Sequence, residues 1–207
     1  MIKHKSEKTP PTASEINISL LQGCIWESKV VDLFSRACAQ KGSRLVARPL
    51  AHFQDLLEGR TGGLLGAVSQ QGALVGMAAL LSAENWTAAR AVGLVTYPDL
   101  DGRLAALCGS EPVGVVQSLC VSDAARGQSV GLRLLMAARD WGFQERGALR
   151  VLGQIAQDNE CGMKKFMKSG FALAATWPYI NPDGTVVEKC LMEVRGQTTD
   201  VGGQERQ

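Results

Sequence analysis

The chain has 207 residues, a formal net charge of +2, 45% hydrophobic residues and 20% charged residues. This length allows one well-buried core and is short for two full-sized domains, and the composition is typical of globular proteins and not of disordered ones. Because the net charge is small, neither nucleic acid nor an anionic membrane is expected as the main partner.

The six cysteines include no C-x-x-C pair and lie mostly in apolar runs, which predicts buried free thiols and a reducing cytoplasm. The first residues contain no apolar signal segment, and no run approaches the roughly 18 apolar residues of a membrane span. Only His4 and His52 are present, so a histidine-based metal site or a Ser-His-Asp triad has little to build with. We therefore expect no metal.

The first half of the chain predicts a strand, two helices and a hairpin. Polar tails are expected over residues 1–15 and 196–207, with a single domain over 16–195. Apolar spacing predicts the strand Ile16–Leu21, the helices Trp26–Gln40 and Leu50–Leu57, and the hairpin strands Gly63–Val68 and Ala73–Leu81. The next segment, Ala83–Glu111, lacks a period and predicts a long excursion with a short helix near Leu104.

The second half alternates between strand and helix patterns. The predicted elements are the strand Val113–Val121, the helix Ser129–Arg146, the strand Leu149–Ala156, the helix Asn159–Lys168, and the closing strands Phe171–Tyr179 and Val186–Val194. This order predicts a βαβ unit with parallel strands and a right-handed crossover. In the first of these helices one stripe is expected to pack in the core: Leu132, Leu135, Met136, Arg139 and Phe143.

A turn of small residues, R-G-Q-S-V-G from Arg126 to Gly131, joins the strand Val113–Val121 to the helix that follows. A helix N-terminus exposes backbone N–H groups, and its dipole favours anions, so the turn predicts a phosphate cradle. The alternative is that the turn is only a connection, because glycine-containing turns join strands to helices in many α/β proteins.

The turn and its surroundings resemble the GNAT superfamily of acyl-CoA-dependent N-acetyltransferases over residues 16–195. In the cofactor signature Q/R-x-x-G-x-G/A, the three defined places hold Arg126, Ser129 and Gly131. The later segment N-E-C-G-M-K-K-F-M-K-S-G-F resembles the second signature of the family, with Asn159 and the Gly170–Phe171 pair on its fixed places.

The resemblance implies a mixed α/β (α+β) fold with a central twisted sheet of about six to seven strands, helices on both faces and a splayed central pair of strands. It also implies acetyl-CoA as cosubstrate, with its pantetheine arm along the strand edge and an unpaired N–H there polarising the thioester carbonyl. The implied cofactor-binding residues are Leu119, Cys120, Val121, Arg126, Gly127, Gln128, Ser129, Val130, Gly131, Asn159 and Phe166.

Two positions depart from the family pattern. Ser129 stands where the first motif glycine usually lies, and a serine can still donate its backbone N–H to phosphate. Phe166 stands where many members carry a tyrosine that protonates the leaving thiolate, and a phenyl ring has no proton to donate. Tyr179 is the candidate replacement acid, with simple cover of the sheet edge as its alternative role.

The base that would deprotonate an ammonium of pKa about 10.4 is not evident from the sequence. Gln117 could hold a water, and Glu84 and Glu111 are weak candidates for the base, each with a surface loop charge as its alternative role. Lys164, Lys165 and Lys168 either meet phosphates of coenzyme A or form the solvated face of a helix. The segment that would line the amine pocket offers Trp86, Tyr97, Asp99 and Asp101.

These observations predict an N-acetyltransferase that transfers an acetyl group from acetyl-CoA to a primary amine of a small molecule or protein in a ternary complex. A non-catalytic acetyl-CoA sensor of the same fold is the alternative that Phe166 motivates. A dinucleotide-binding module is a weaker third reading, because the chain has no G-x-G-x-x-G. The sequence leaves open whether the chain forms a homodimer.

Overall fold

The structure is a computed structural model that describes residues 15–40, 45, 48–84, 88, 110–180 and 184–196. In these residues, seven strands and four helices follow one another with two short 3-10 turns. The strands are β1 (Ile16–Leu21), β2 (Gly62–Ser69), β3 (Leu74–Ala83), β4 (Val113–Val121), β5 (Arg150–Ala156), β6 (Ala172–Ile180) and β7 (Val186–Arg195). The helices are α1 (Glu27–Ala39), α2 (Leu50–Leu57), α3 (Val130–Arg146) and α4 (Glu160–Lys168).

All seven strands form one sheet in the order β1-β2-β3-β4-β5-β7-β6. Neighbouring strands run antiparallel except β4 and β5, which are parallel and are joined through α3. Parallel neighbours need a crossover of this kind, which is why the alternating pattern after residue 113 predicted the pair. The mixed α/β class and the seven-stranded sheet with flanking helices are confirmed.

The helices divide between the two faces of the sheet. On one face α1 and α2 bury Phe34 and Phe53 against Met77 and Leu81 of β3. On the other face α3 and α4 pack against a second core cluster that includes Phe166. Burying both faces explains why the strands read as nearly continuous apolar runs and not as alternating ones.

The buried stripe of α3 differs from the predicted one. The helix buries Leu134, Leu135, Ala138 and Gly142, whereas Met136 is 38% exposed. Leu135 is correctly predicted; Leu132, Arg139 and Phe143 are only partly buried. The reason is close packing: a Cβ on Gly142 would lie 2.9 Å from Cδ2 of Leu80, so small residues, Ala138 and Gly142, share the buried face with leucines. The predicted stripe is therefore correct at Leu135 and in part at Phe143, which packs against the core cluster, and wrong at the exposed Met136.

The cysteines are less uniformly buried than their sequence context predicted. Cys120 and Cys190 lie in strands and are buried, Cys38 is half-buried, and Cys24 and Cys161 are exposed. Exposed thiols lie in a turn or on a helix surface, where an apolar neighbour in sequence is not a neighbour in space. Cys108 lies outside the described residues, as do the short helix near Leu104 and the aromatic and acidic residues of the predicted amine pocket, Trp86, Tyr97, Asp99 and Asp101. Across the described residues, no helix combines the length and apolar character of a membrane span.

Candidate acyl-CoA and acceptor site

The strands β4 and β5 separate halfway along their length. Their ladder pairs Val113–Val116 with Arg150–Gly153 and ends there. Beyond it, β5 continues in pairing with β7 as far as Ala156, while Gln117–Val121 has no partner on β5. At about 3.3 Å per residue, this leaves roughly 16 Å of β4 edge facing a gap, which we call the splay.

A β-bulge lies where the splay begins. The pairing of β4 with β3 shifts register between the pairs Ala79–Gln117 and Met77–Cys120, and Ser118 has φ 52°. The extra residue redirects the side chains. Gln117 faces the side of α1 and α2, but Leu119 packs against the α3 cluster and Cys120 against the α1–α2 cluster. Bulges of this kind re-aim backbone and side chains next to functional sites.

The predicted phosphate loop has an open, strained backbone. After a 3-10 turn over Asp123–Ala125, Gly127 has φ 80° and Ser129 has φ 59° and ψ 13°, and α3 begins at Val130. The first N–H groups of a helix have no acceptor within the helix, so they are available to an anion. Of the described residues other than glycine, only Ser118 and Ser129 have positive φ, and both lie at this site. Backbone strain concentrated at one place is a mark of functional sites.

The side chain of Arg126 is tied down beside the loop. One Nη lies 2.9 Å from Oδ1 of Asp123, and the other donates to Oε1 of Gln40 at the end of α1. Gln40 in turn donates to the carboxylate of Asp123 at 3.2 and 3.3 Å. Because Asp123 offsets the charge of Arg126, the positive character of the loop comes mainly from its backbone and from the α3 dipole.

The three lysines of α4 occupy different environments. Lys164 pairs with Glu160 at 3.4 Å on the solvent side, and Lys168 is exposed. The aliphatic part of Lys165 instead lies against the first turn of α3, 3.7 Å from where a Cβ on Gly131 would be. Its Nζ lies 3.3 Å from Sγ of Cys161. Of these lysines, Lys165 is the one beside the phosphate loop.

Asn159 and Phe166 serve the packing of α4. The Oδ1 of Asn159 accepts from the N–H of Gly162 at 3.0 Å, which is an N-cap. The Phe166 ring is buried, meets Phe171 edge to face at 5.0 Å, and lies so close to β5 that a Cβ on Gly153 would be 2.2 Å from it. Gly153 is the last β5 residue paired with β4, so the ring lies behind the point where β4 and β5 separate, which we call the vertex of the splay.

The structure does not bring Glu84 or Glu111 to the splay. Ala83 pairs with Val113, so both carboxylates lie at the amino end of β4, whereas the splay lies at its carboxyl end. Glu111 accepts from Nε of Arg150 at 2.5 Å, and this hydrogen bond, together with the Arg150 charge, lowers the pKa of its carboxyl group. A carboxylate held ionised by an arginine is a poor base, and this one is in the wrong place.

Tyr179 lies at the splay end of the sheet but two strands away from the gap. It is on β6, partly buried among Trp177 and its neighbours on the α1–α2 face, and Nζ of Lys189 lies 3.8 Å from its ring centroid. β7 and β5 separate β6 from the splay. A contact between Tyr179 and the sulfur of a cofactor would have to be made across that face.

Arg48 is a site residue that the sequence analysis did not identify. It precedes α2, and its Nη2 donates to Oε1 of Gln117 at 3.1 Å, in a part-buried contact across 69 residues of sequence. His52 lies one turn further on; burial, and then the charge of Arg48, lower the pKa of its imidazole. No local pattern marks Arg48, because its partner is distant in sequence.

Cys120 is buried in the core cluster between the sheet and the helices α1 and α2. Burial, with a smaller contribution from Cys38, raises the pKa of its thiol to about 12, so at neutral pH it is protonated and not a nucleophile. Among the residues with described positions, no three His, Cys, Asp or Glu side chains cluster as metal ligands do.

Comparison with known proteins matches residues 30–171 to the model of the acetyltransferase (GNAT) family. No curated protein sequence matches the chain. Solved structures that share the fold include Arabidopsis thaliana NAA60 in complex with acetyl-CoA, at 12% identity and a TM-score of 0.63, covering 87% of this chain and 98% of that one. Another is Salmonella typhimurium yncA with its cofactor acetyl-CoA, at 13% identity and a TM-score of 0.64, covering 91% and 98%. A GNAT-family acetyltransferase from Streptococcus pneumoniae matches at 13% identity and a TM-score of 0.62, covering 87% and 99%.

Proposed function

The chain belongs to the acetyltransferase (GNAT) family, and from that membership we propose that it transfers an acetyl group from acetyl-CoA to a primary amine. The observation that carries the proposal is the continuity of two features: the segment of β4 that no longer pairs with β5 leads, through one short turn, into the first turn of α3. A thioester with a long amide-bearing arm and a pyrophosphate needs those two features in that order.

In this proposal the phosphate loop binds the pyrophosphate and the β4 edge binds the pantetheine arm. Gly127, Ser129 and Gly131 give the backbone close approach, and Lys165 adds a positive charge beside the first turn of α3. The amides of the arm pair with Leu119, Cys120 and Val121 as an added strand would. Asn159 and Phe166 contribute indirectly, by capping α4 and by holding it behind β5.

The reaction is direct attack of the neutral amine nitrogen on the thioester carbon, after which the C–S bond breaks and the thiolate of coenzyme A leaves. Binding both substrates together makes this attack effectively intramolecular. In this proposal a water held by Gln117 passes the ammonium proton to solvent before the attack, and the proton that the nitrogen loses after the attack goes to the departing thiolate. A thiolate of pKa about 8.5 can leave without strong acid help, so Phe166 is compatible with turnover.

Binding can be tested with two matched substitutions in the phosphate loop. Asp and Asn both tolerate the left-handed conformation of Ser129 and both cap helices, so Ser129→Asp and Ser129→Asn are expected to fold alike. The added carboxylate repels a pyrophosphate, so calorimetry should show acetyl-CoA affinity at least about 10-fold weaker for Asp than for Asn. Equal affinities would remove the loop from the site.

Turnover is tested by following thiol release when acetyl-CoA is mixed with a panel of primary amines. Release that depends on the amine supports the transferase. Tight acetyl-CoA binding without release on any amine would favour the sensor that Phe166 suggests. Binding of NAD without binding of acetyl-CoA would overturn both the transferase and the sensor.

A separate variant tests Tyr179. If Tyr179 is the acid, Tyr179→Phe lowers kcat by about 100-fold or more. An unchanged kcat would mean that the thiolate leaves without a proton from Tyr179.

We propose a reducing compartment, the cytoplasm, as its location, because the five described cysteines are all free thiols. Fractionation of cells that express a tagged chain would test this. Whether the chain is a monomer or a homodimer is a question for light scattering.

A further inference from the structure

The guanidinium of Arg48 is poorly satisfied for a part-buried charge. Arginine has five N–H donors, and the structure shows one of them used, in the bond to Oε1 of Gln117. Its partner is a neutral amide. No carboxylate forms an ion pair with Arg48 anywhere in the described parts of the chain.

The described residues around Arg48 do not supply the missing negative charge. Arg48 interacts electrostatically with His52, whose pKa is lowered, so the imidazole is neutral at pH 7. The Nε2 of His52 is buried and has no hydrogen-bond partner among the residues that the structure describes. Asp55, the acid that acts on His52, forms its own ion pair with Arg60. Neither described neighbour therefore neutralises the charge of Arg48.

Arg48 is also placed at the reacting end of the proposed cofactor site. Gln117 immediately follows Val116, the last β4 residue paired with β5, so the Arg48–Gln117 contact lies at the vertex of the splay. Val121, where β4 ends and the chain turns toward the phosphate loop, lies about 13 Å away along the strand. That separation assigns the guanidinium to the acceptor end of the site and not to the pyrophosphate.

We propose that Arg48 binds a carboxylate of the acceptor, so that the amine substrate is a small amino acid and not a simple alkylamine or polyamine. The proposal rests on the proposed acetyl transfer and names its substrate class. A planar guanidinium with free N–H groups matches a carboxylate in bidentate geometry, and desolvation at the vertex strengthens the bond. The same positive charge disfavours a polycation at this position.

The direct test compares amino acids with the amines obtained by removing their carboxyl group. Leucine with isopentylamine and phenylalanine with phenethylamine keep the side chain and change only the carboxylate. The wild-type protein should acetylate the amino acid of a pair with kcat/KM about 10- to 100-fold above that of the amine. Arg48→Met should remove this preference by raising KM for the amino acid, while KM for acetyl-CoA stays unchanged.

The matched control is Arg36→Met, which removes one arginine from an exposed Asp32 pair on α1 and should leave the preference intact. Arg48→Lys keeps the positive charge but not the planar bidentate geometry of the guanidinium, and it should recover part of the preference for the amino acid. Equal kcat/KM for both members of each pair, or a preference that survives in Arg48→Met, would overturn the proposal.

A binding measurement separates this proposal from the proposed activity. Calorimetry of the amino acid into the protein loaded with coenzyme A has no catalytic step. Arg48-dependent binding there, with no turnover in the thiol assay, would support the carboxylate site while rejecting the transferase. Turnover of simple amines with no Arg48-dependent binding of amino acids would do the reverse.

Discussion

Two arginines lie beside β4, one at its amino end and one at its midpoint, and their environments differ. Arg150, beside the amino end, is buried and bonds to Glu111 at 2.5 Å and to Glu193 at 2.7 Å, with Arg195 joining Glu193 at 2.8 Å. Among the described residues, Arg48 bonds to the amide of Gln117 and to no carboxylate. The charge of Arg150 is thus neutralised by Glu111 and Glu193, whereas the charge of Arg48 has no such partner in the part of the chain that the structure describes, and we have proposed a ligand carboxylate for it.

The same contrast holds for the backbone. Between Val113 and Val116 β4 pairs with both β3 and β5, whereas from Gln117 onward it no longer pairs with β5. Unpaired polar groups inside a protein are costly, so the proposed ligand site lies where β4 leaves β5. The two halves of one strand thus differ in how far the described fold itself satisfies their polar groups.

The largest expected effect on stability comes from removing Arg150 at the amino end of β4. Arg150→Met removes the buried arginine from Glu193, which is only 11% exposed and keeps the exposed Arg195 as a partner. Because Arg195 still offsets part of the charge, we expect the free energy of unfolding to fall by about 3 kcal/mol in urea titration, the lower end of the range for breaking a buried pair. Arg48→Met, which leaves no carboxylate behind, should change it by less than about 1 kcal/mol. Similar losses for the two variants would contradict the contrast.

A second prediction concerns the vertex between the two halves. Gly153→Ala places a Cβ 2.2 Å from the Phe166 ring, which must move. Overpacking of this kind should lower the free energy of unfolding by about 1–3 kcal/mol, and Phe166→Leu in the same chain should recover part of it. The measurement is urea unfolding of the two single variants and the double variant. Strict additivity would show that ring and glycine are independent.

The bulge provides a smaller test. Because Ser118 has φ 52°, Ser118→Gly should relieve strain and change the free energy of unfolding by no more than about 1 kcal/mol. Ser118→Val, with a β-branched side chain in the same conformation, should lose about 1–2 kcal/mol. Thermal unfolding of both variants makes the comparison. If Val is tolerated as well as Gly, the backbone there is not left-handed.

The smallest expected effect is a pH dependence of stability that arises from Glu111, beside Arg150. The pKa of Glu111 is lowered in the folded chain by Arg150, so its contribution to stability is present above the unfolded pKa and is lost as the pH falls through the folded one. Glu111→Gln should therefore be less stable than wild type at pH 6–7 by a difference that shrinks toward pH 3. Glu84→Gln is the exposed control. A difference that grows with acid would reverse the sign and refute the pairing.

The sequence located the elements from Val113 onward closely, because their periods are strong. The strand Val113–Val121 is confirmed to the residue, and α3, β5 and α4 each begin one residue after the predicted start. The position of Glu111 could also be predicted, since a residue that precedes a parallel strand lies at the end opposite to where ligands usually bind.

Other parts of the site were beyond local patterns. The contact between Arg48 and Gln117 spans 69 residues and depends on where the segment that precedes α2 lies relative to β4. The bulge at Ser118 leaves no mark in an apolar run, because a serine there is equally compatible with a regular strand. Tertiary packing decides both features, and neither period nor composition records it.

The bulge has a consequence for the length of β4. Without Ser118, the remaining residues from Val113 to Val121 would keep their present alternation, with Gln117 and Cys120 on the α1–α2 side and Leu119 and Val121 on the α3 side. The core would therefore accept a chain one residue shorter. The packing of the hydrophobic interior does not require Ser118. Its deletion would therefore distinguish the residues that β4 needs for folding from those that its edge toward the splay needs for function.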